Sequence, residues 1–236
     1  MNRPLSILII ASASLVAVNA QNNNITDMEN LVLTSEWDKT FSKSDNVNHR
    51  KVTFTNRYGI TLAADMYSPK NAPAQLPAIA VCGPFGAVKE QCSGIYAQEM
   101  AERGFVTLAF DPSFTGESGG MPRYTTSPDI NTEDFCAAVD FLVTNPAVNP
   151  EAVGVLGICG WGGLAINAAA ADPRIKATVA STMYDISRVS ANGYFDSADT
   201  PEDRDSLRAV LASQRTEDFR NASPQLGGGV PDELPE

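Results

Sequence analysis

Short apolar runs alternate with longer segments of mixed pattern through the middle of this chain. Arg50 to Thr55 alternates polar side chains with β-branched or aromatic ones, Asn56-Arg57-Tyr58-Gly59 carries turn residues, and Ile60 to Tyr67 alternates again. Two alternating runs around a short glycine-containing turn predict a β-hairpin. Pro77 to Cys82 is continuously apolar and ends at Gly83, Phe105 to Phe110 is stopped by Asp111-Pro112, Val153 to Ile158 follows Pro150, and Lys176 to Thr182 is the last β-rich run. Apolar runs of this length, punctuated by Gly and Pro, predict strands buried on both faces, as in a parallel sheet. Between them, helical segments are predicted from Glu90 to Arg103 (closed by Gly104), from Ile130 to about Val143 (closed by Asn145-Pro146) and from Leu164 to Ala171. Strands alternating with helices imply right-handed crossovers and helices on both faces of the sheet. The order of the runs places the Val153–Ile158 strand centrally, between the Pro77–Cys82 and Lys176–Thr182 strands.

Outside this middle the pattern weakens. Residues 21–48 are polar and read as a linker with one amphipathic turn around Leu31–Trp37. Beyond Tyr184 the apolar runs stop; Pro201 to Arg220 reads as a charged helix with Leu207, Val210 and Leu211 on one face, and Gly227-Gly228-Gly229 opens a polar tail. At the other end, Arg3 precedes an apolar stretch from Leu5 to Val18 and a small-x-small site at Val18-Asn19-Ala20. These are the regions of a signal peptide over residues 1–20, so a secreted or periplasmic protein is expected, cleaved after Ala20 and without stable membrane association thereafter. An uncleaved N-terminal anchor is the alternative; the run is short for a bilayer span.

The centre of the chain is Gly157-Ile158-Cys159-Gly160-Trp161-Gly162-Gly163. An apolar strand, a glycine-bounded turn carrying one nucleophilic side chain, and then a helix form the layout of a nucleophile elbow. The glycines let the turn approach its neighbours, and the partial positive charge at the start of the following helix favours a thiolate at Cys159. With the stretches Val81 to Gln91 and Phe110 to Gly120, this elbow resembles the α/β-hydrolase superfamily; with Cys as nucleophile it is similar to the dienelactone-hydrolase-like branch and its polyketide-transferase-like relatives. The resemblance covers about residues 48–200. It implies an α/β-hydrolase three-layer sandwich: a mostly parallel sheet with an N-terminal antiparallel hairpin, its core at 49–184. One position departs from the pattern: a small residue is wanted two after the nucleophile, where this sequence has Trp161, and Gly162 and Gly163 are expected to relieve the crowding. In the family two further strands follow a lid and carry the acid and the histidine in their loops. This sequence ends inside the lid region, so a C-terminally incomplete fold is expected, with 185–236 a partial lid or cap and a flexible tail.

The chemistry implied is attack by Cys159 on an ester, lactone or thioester carbonyl of a small molecule, giving an acyl-enzyme released to water or to another acceptor. The alternatives are a catalytically impaired or vestigial binding protein, or a truncated gene product. A free cysteine is ordinarily a small buried apolar residue; its place at a strand end between glycines is what points to a nucleophile. The oxyanion hole is assigned to backbone N–H groups of Gly160 and of the loop after the Pro77–Cys82 strand, where Pro84 has none and Phe85 is first choice, Gly86 second. Asp185 follows the strand after the elbow, where some α/β hydrolases place their acid, and equally suits a helix cap. His49 lies just before the first predicted strand and reads as a solvated loop residue. Glu90, Asp111 and Glu117 sit on loops at the carboxyl ends of strands and are expected to order those loops.

Composition narrows the classes further. The 236 residues suit one domain with a sizeable core, and the formal net charge of −11 without a basic cluster argues against nucleic acid and anionic membrane surfaces. Four cysteines and a single histidine match no zinc spacing, so neither metal nor other cofactor is expected, and the glycine-rich loop lacks phosphate-loop spacing. If disulfides form, Cys82 and Cys92 are the expected pair, with Cys159 free. Oligomeric state is left open.

Overall fold

The computed structural model describes residues 31–71 and 75–225; the expected signal peptide at 1–20 and the tail from Gly227 lie outside them. Six strands form one sheet in the order β1 (Val47–Thr55), β2 (Thr61–Pro69), β4 (Val106–Phe110), β3 (Leu76–Cys82), β5 (Val148–Ile158), β6 (Ile175–Ser181). β1 and β2 are the predicted antiparallel hairpin, β2 runs antiparallel to β4, and β4, β3, β5 and β6 are parallel. Helix α1 (Cys92–Glu102) covers one face, packing Ala97 and Ala101 against Tyr67, Val81, Ala109 and Leu156. Helices α2 (Pro128–Val143) and α3 (Gly160–Ala171) cover the other, where Phe135, Leu142, Trp161 and Leu164 meet Ala78, Ala80, Leu108 and Val155. The result is the expected three-layer α/β-hydrolase sandwich.

The strand that ends at Cys159 lies between β3 and β6, as its apolar pattern predicts. From β3 the chain crosses to β4 on one side and later to β5 on the other, so the β3 and β5 carboxyl ends flank a topological switch point. In open α/β sheets the ligand crevice opens there. β5 begins earlier than the apolar run, at Val148: Pro150 is carried in an irregular stretch where the register with β3 shifts between Leu76 and Ala78, a position that tolerates a missing N–H. α2 also begins earlier, because Ser127 caps it and Pro128 occupies the first turn with a pre-set φ. α3 takes in Gly160 to Gly163, residues that read as turn.

The N-terminal segment departs from its reading as a linker. Residues 31–46 hold no helix, and the amphipathic turn expected around Leu31–Trp37 does not form. Instead they run as a strap over the α1 side of the hairpin. Thr40 N–H donates to the Glu90 carbonyl (3.0 Å), Ser44 N–H to Gln98 Oε1 (3.0 Å), and the Trp37 indole to the Phe41 carbonyl (2.8 Å). His49 is corrected with it. It lies inside β1, not in a solvated loop, with its ring between Trp37 (5.1 Å) and Tyr67 (4.9 Å) and Nε2 2.7 Å from Asp65 Oδ1. Covering by a remote segment turned an apparently exposed position into a half-buried one. After β6 come α4 (Ile186–Asn192), a 3-10 turn at Tyr194–Asp196, and α5 (Pro201–Asn221), on none of which is any residue buried.

Candidate active site

Cys159 links β5 to α3 with φ 60° and ψ −128°, a backbone conformation that costs a side-chain-bearing residue about 1–3 kcal/mol and persists only where its surroundings enforce it. Here the β5 ladder fixes one side and α3 the other; the Cys159 N–H donates to the Ser181 carbonyl at the end of β6 (2.9 Å), and its carbonyl accepts from Gly162 N–H (2.9 Å). Gly157 is required by close approach, since a Cβ there would lie 2.2 Å from the Trp161 carbonyl oxygen. The crowding brought by Trp161 is relieved at Gly83 rather than at Gly162 and Gly163. A Cβ on Gly83, whose φ is +100°, would stand 2.9 Å from Trp161 Cβ and 2.4 Å from the Ile158 carbonyl oxygen. The indole is thereby buried in the core, and it meets the Phe85 ring edge-on at 5.9 Å.

The loop after β3 and the elbow therefore touch at Gly83 and at the Phe85–Trp161 contact. Gly160 opens α3, where the first N–H groups of a helix have no partner within it. These are the elements that carry the Phe85, Gly86 and Gly160 amides of the sequence reading. Asp185 caps α4, accepting from Arg188 N–H at 2.9 Å, so its carboxylate is engaged in ordering the segment after β6. Tyr184, which the sequence reading passed over, is the polar side chain beside the nucleophile. Its hydroxyl lies 3.5 Å from where a Cβ on Gly160 would be. Burial and then the charge at Cys159 hold its phenol above the ordinary range. No local pattern marks it; its place at the carboxyl edge of the sheet was the one available signal.

The far end of the same loop is fastened by charge. Asp111, the first residue after β4, accepts from Lys89 N–H through Oδ1 (2.7 Å), and from Lys89 Nζ (2.8 Å) and Glu117 N–H (2.9 Å) through Oδ2. The Lys89 ammonium also meets Glu117 (2.7 Å) and Glu90 (2.6 Å) and is wholly buried. Burial alone would lower the Lys89 pKa, but Asp111, Glu117 and Glu90 outweigh it and raise it. Lys51 on β1 joins Glu117 (2.7 Å) to Asp38 (3.0 Å), and Lys39 joins Asp38 (2.5 Å) to Asp65 (2.9 Å). Burial raises the carboxyl pKa of Asp38 and of Glu117, yet hydrogen bonds from Lys39 and Lys51 to the first, and from Lys51 and Lys89 to the second, bring each down to about 2. Glu90, Asp111 and Glu117 are thus parts of one network that ties the strap, the hairpin and the loop after β3 together.

Among the described residues no group of three or more His, Cys, Asp or Glu side chains could hold a metal ion, and no helix is long and apolar enough to cross a membrane. The four cysteines are free. The expected Cys82–Cys92 pair is corrected: Cys82 is buried at the end of β3 on the face packed by α2 and α3, whereas Cys92 packs with the α1-side cluster. A cavity of about 610 Å³, lined by Arg57, Tyr58, Cys136, Asn167 and Arg174 among others, does not reach Cys159; a cleft of about 320 Å³ runs along Leu164, Ile166, Met183 and Ile186, beside the first turns of α3.

The sequence profile of the X-Pro dipeptidyl-peptidase (S15 family) matches residues 58–225. Over 221 residues the chain is 60% identical to uncharacterized protein PA2218 of Pseudomonas aeruginosa, covering 93% of this chain and 59% of that protein. The crystal structure of that protein aligns with a TM-score of 0.79 over 84% of this chain and 64% of that one. Thiohydrolase aneE of Aspergillus aculeatus is 36% identical over 128 residues, 54% of this chain and 39% of that protein. The crystal structure of alpha/beta hydrolase GrgF from Penicillium sp. sh18 aligns with a TM-score of 0.63 at 26% identity, over 75% of this chain and 57% of that one. The chain spans 39% to 59% of the length of these two curated relatives.

Proposed function

The chain belongs to the X-Pro dipeptidyl-peptidase (S15 family), within the α/β-hydrolase clan, and on that premise we propose that it is a hydrolase or acyl transferase of small-molecule thioesters, esters or lactones with Cys159 as its nucleophile. The observation that carries this reading is the strained backbone of Cys159 at the switch point, at the start of α3 and against the loop after β3. Attack of the sulfur on the carbonyl carbon forms the C–S bond and moves the charge to the carbonyl oxygen. The N–H groups of Gly160 and Phe85 then receive that oxygen, with Gly86 as the second choice on the loop side. Collapse expels the leaving group and leaves an acyl-Cys159; water or an acceptor thiol or alcohol then bonds to the acyl carbon and loses its proton to solvent, and the C–S bond breaks to return the thiolate.

Thioesters suit the site best, and three relatives are named thiohydrolases. A thiolate departs without a proton, whereas an amine must be protonated by a positioned acid. The test is acylation by p-nitrophenyl acetate followed by intact mass. A single adduct that maps to Cys159 and disappears in Cys159→Ala is expected, with His49→Ala still acylated. A folded protein that takes no adduct, or one whose adduct survives Cys159→Ala, overturns the assignment. Export belongs to the same proposal, with residues 1–20 as the signal peptide; finding Met1 to Ala20 retained on secreted protein would refute it.

A further inference from the structure

We propose that the cleft between α3 and the segment after β6 is the acyl-chain site, and that it selects an uncharged apolar acyl group of several carbons. The inference rests on Cys159 being the nucleophile, and it names the substrate class. The glycines of the elbow build the cleft. Met183 to Ile186 lies directly over the first turn of α3. A Cβ on Gly162 would stand 2.5 Å from Met183 Cβ, one on Gly163 3.3 Å from the Tyr184 carbonyl oxygen, and one on Gly160 3.5 Å from Ile186 Cδ1. Beyond these close contacts a space of about 320 Å³ opens, lined by Leu164 and Ile166 of α3 and by Met183 and Ile186. Ile186 belongs to both places. It lines the cleft, and its Cδ1 lies beside Gly160, the residue that follows the nucleophile.

Size and charge decide what fits. A cleft of about 320 Å³ is at the small end of ligand sites, which run from about 300 to 1,000 Å³. It holds one arm of a thioester rather than the whole. Which arm follows from the chemistry. The leaving thiolate and the incoming acceptor use the same side of the acyl carbon, so that side needs access to solvent. The acyl arm stays in place through both halves of the reaction and gains from a wall. The wall is apolar: Leu164 is buried, while Ile166 and Met183 are 45% and 46% exposed and have area left to cover. Among the described residues, no lysine, arginine or histidine lines the cleft, and Asp185 does. A chain ending in a carboxylate would meet that charge without a counter-ion, whereas a methyl end covers Ile166 and Met183.

The test is the rate of Cys159 acylation by p-nitrophenyl acetate, butyrate, hexanoate and octanoate below saturation, followed by intact mass. Each ester gives its acyl group to the sulfur and releases the same p-nitrophenolate, so only the acyl arm changes. N-acetylcysteine supplies the series without a cleft. Relative to it, octanoate is expected to gain about sixtyfold on acetate, roughly twofold for each added methylene, half the free energy of complete burial. Ile166→Asp brings a second carboxylate onto the wall, and Ser187→Trp fills the cleft from α4; each should cut the octanoate-to-acetate ratio about tenfold. A ratio no higher than that of N-acetylcysteine, or one that both folded variants keep, overturns the acyl-chain site and leaves Cys159 standing. So does a gain that follows the other arm, with S-octyl thioacetate outrunning S-ethyl thioacetate while the acyl series stays flat. A folded wild type that no ester acylates at Cys159 removes the reading on which this rests.

Discussion

The loop between β3 and α1 is held at its Lys89 end by charge and at its Gly83 end by shape. At the first, a wholly buried ammonium is surrounded by Asp111, Glu90 and Glu117, with Lys51 and Lys39 extending the pattern to Asp38 and Asp65. At the second, the contacts are a glycine against a carbonyl oxygen and two aromatic rings edge to face. The difference has a chemical reason. A buried ion pair is hard to distort because any displacement leaves a charge uncompensated, which makes it a good anchor. Placed beside Cys159, a lysine would instead pair with the thiolate and compete with the substrate carbonyl. The anchoring ion pairs sit at one end of the loop and the strained nucleophile at the other.

Three experiments test that division. Lys89→Met should have the largest effect. It leaves Asp111 buried without its cation, and a loss of about 3–5 kcal/mol in urea unfolding is expected, together with slower acylation of Cys159 in the protein that remains folded. A loss below 1 kcal/mol would show that the network is not the anchor.

The acid response comes next. Asp38 and Glu117 titrate at about 2 in the folded chain, against ordinary values of 3.8 and 4.5. Their contribution is therefore fully present above the ordinary values and is lost as pH falls toward about 2. Urea midpoints should drop steeply across that window. Glu117→Gln should flatten the drop while lowering stability at pH 7, by less than Lys89→Met does. An unchanged slope would place the acid sensitivity elsewhere.

The smallest effect has the opposite sign. Cys159→Gly relieves the φ of 60° and should raise stability by about 1 kcal/mol, the strain less the entropy that glycine adds to the unfolded chain. It should abolish acylation at the same time. Destabilisation by this substitution would mean that the elbow is not strained in solution.

Much of this was legible in the residue order. The hairpin, the buried runs and the elbow are local patterns, and the glycines around Cys159 announce close approach. What the sequence hid is non-local. Lys51 and Asp65 stand opposite each other in the hairpin register, and nothing nearby reveals that Asp38 and Lys39 of the strap return to pair with them. His49 was misread for the same reason. Trp161 was recognised as crowded, but the glycine that accommodates it lies on a different strand end.

α5 carries a consequence of another kind. No residue of this helix is buried, and Leu207, Val210 and Leu211 remain exposed. Its order comes from its own chain: Thr200 caps it, Pro201 starts it, Glu202 and Asp203 lie in its first turn and Arg220 in its last. A helix that, among the described residues, is supported by its ends and its propensity is marginal in water. Its amide hydrogens should therefore exchange with deuterium through the opening of that helix alone, at a rate that urea hardly alters because little surface is newly exposed. The amides of β5 between Val153 and Ile158 should wait for the sheet to come apart, and their exchange should quicken with every increment of denaturant.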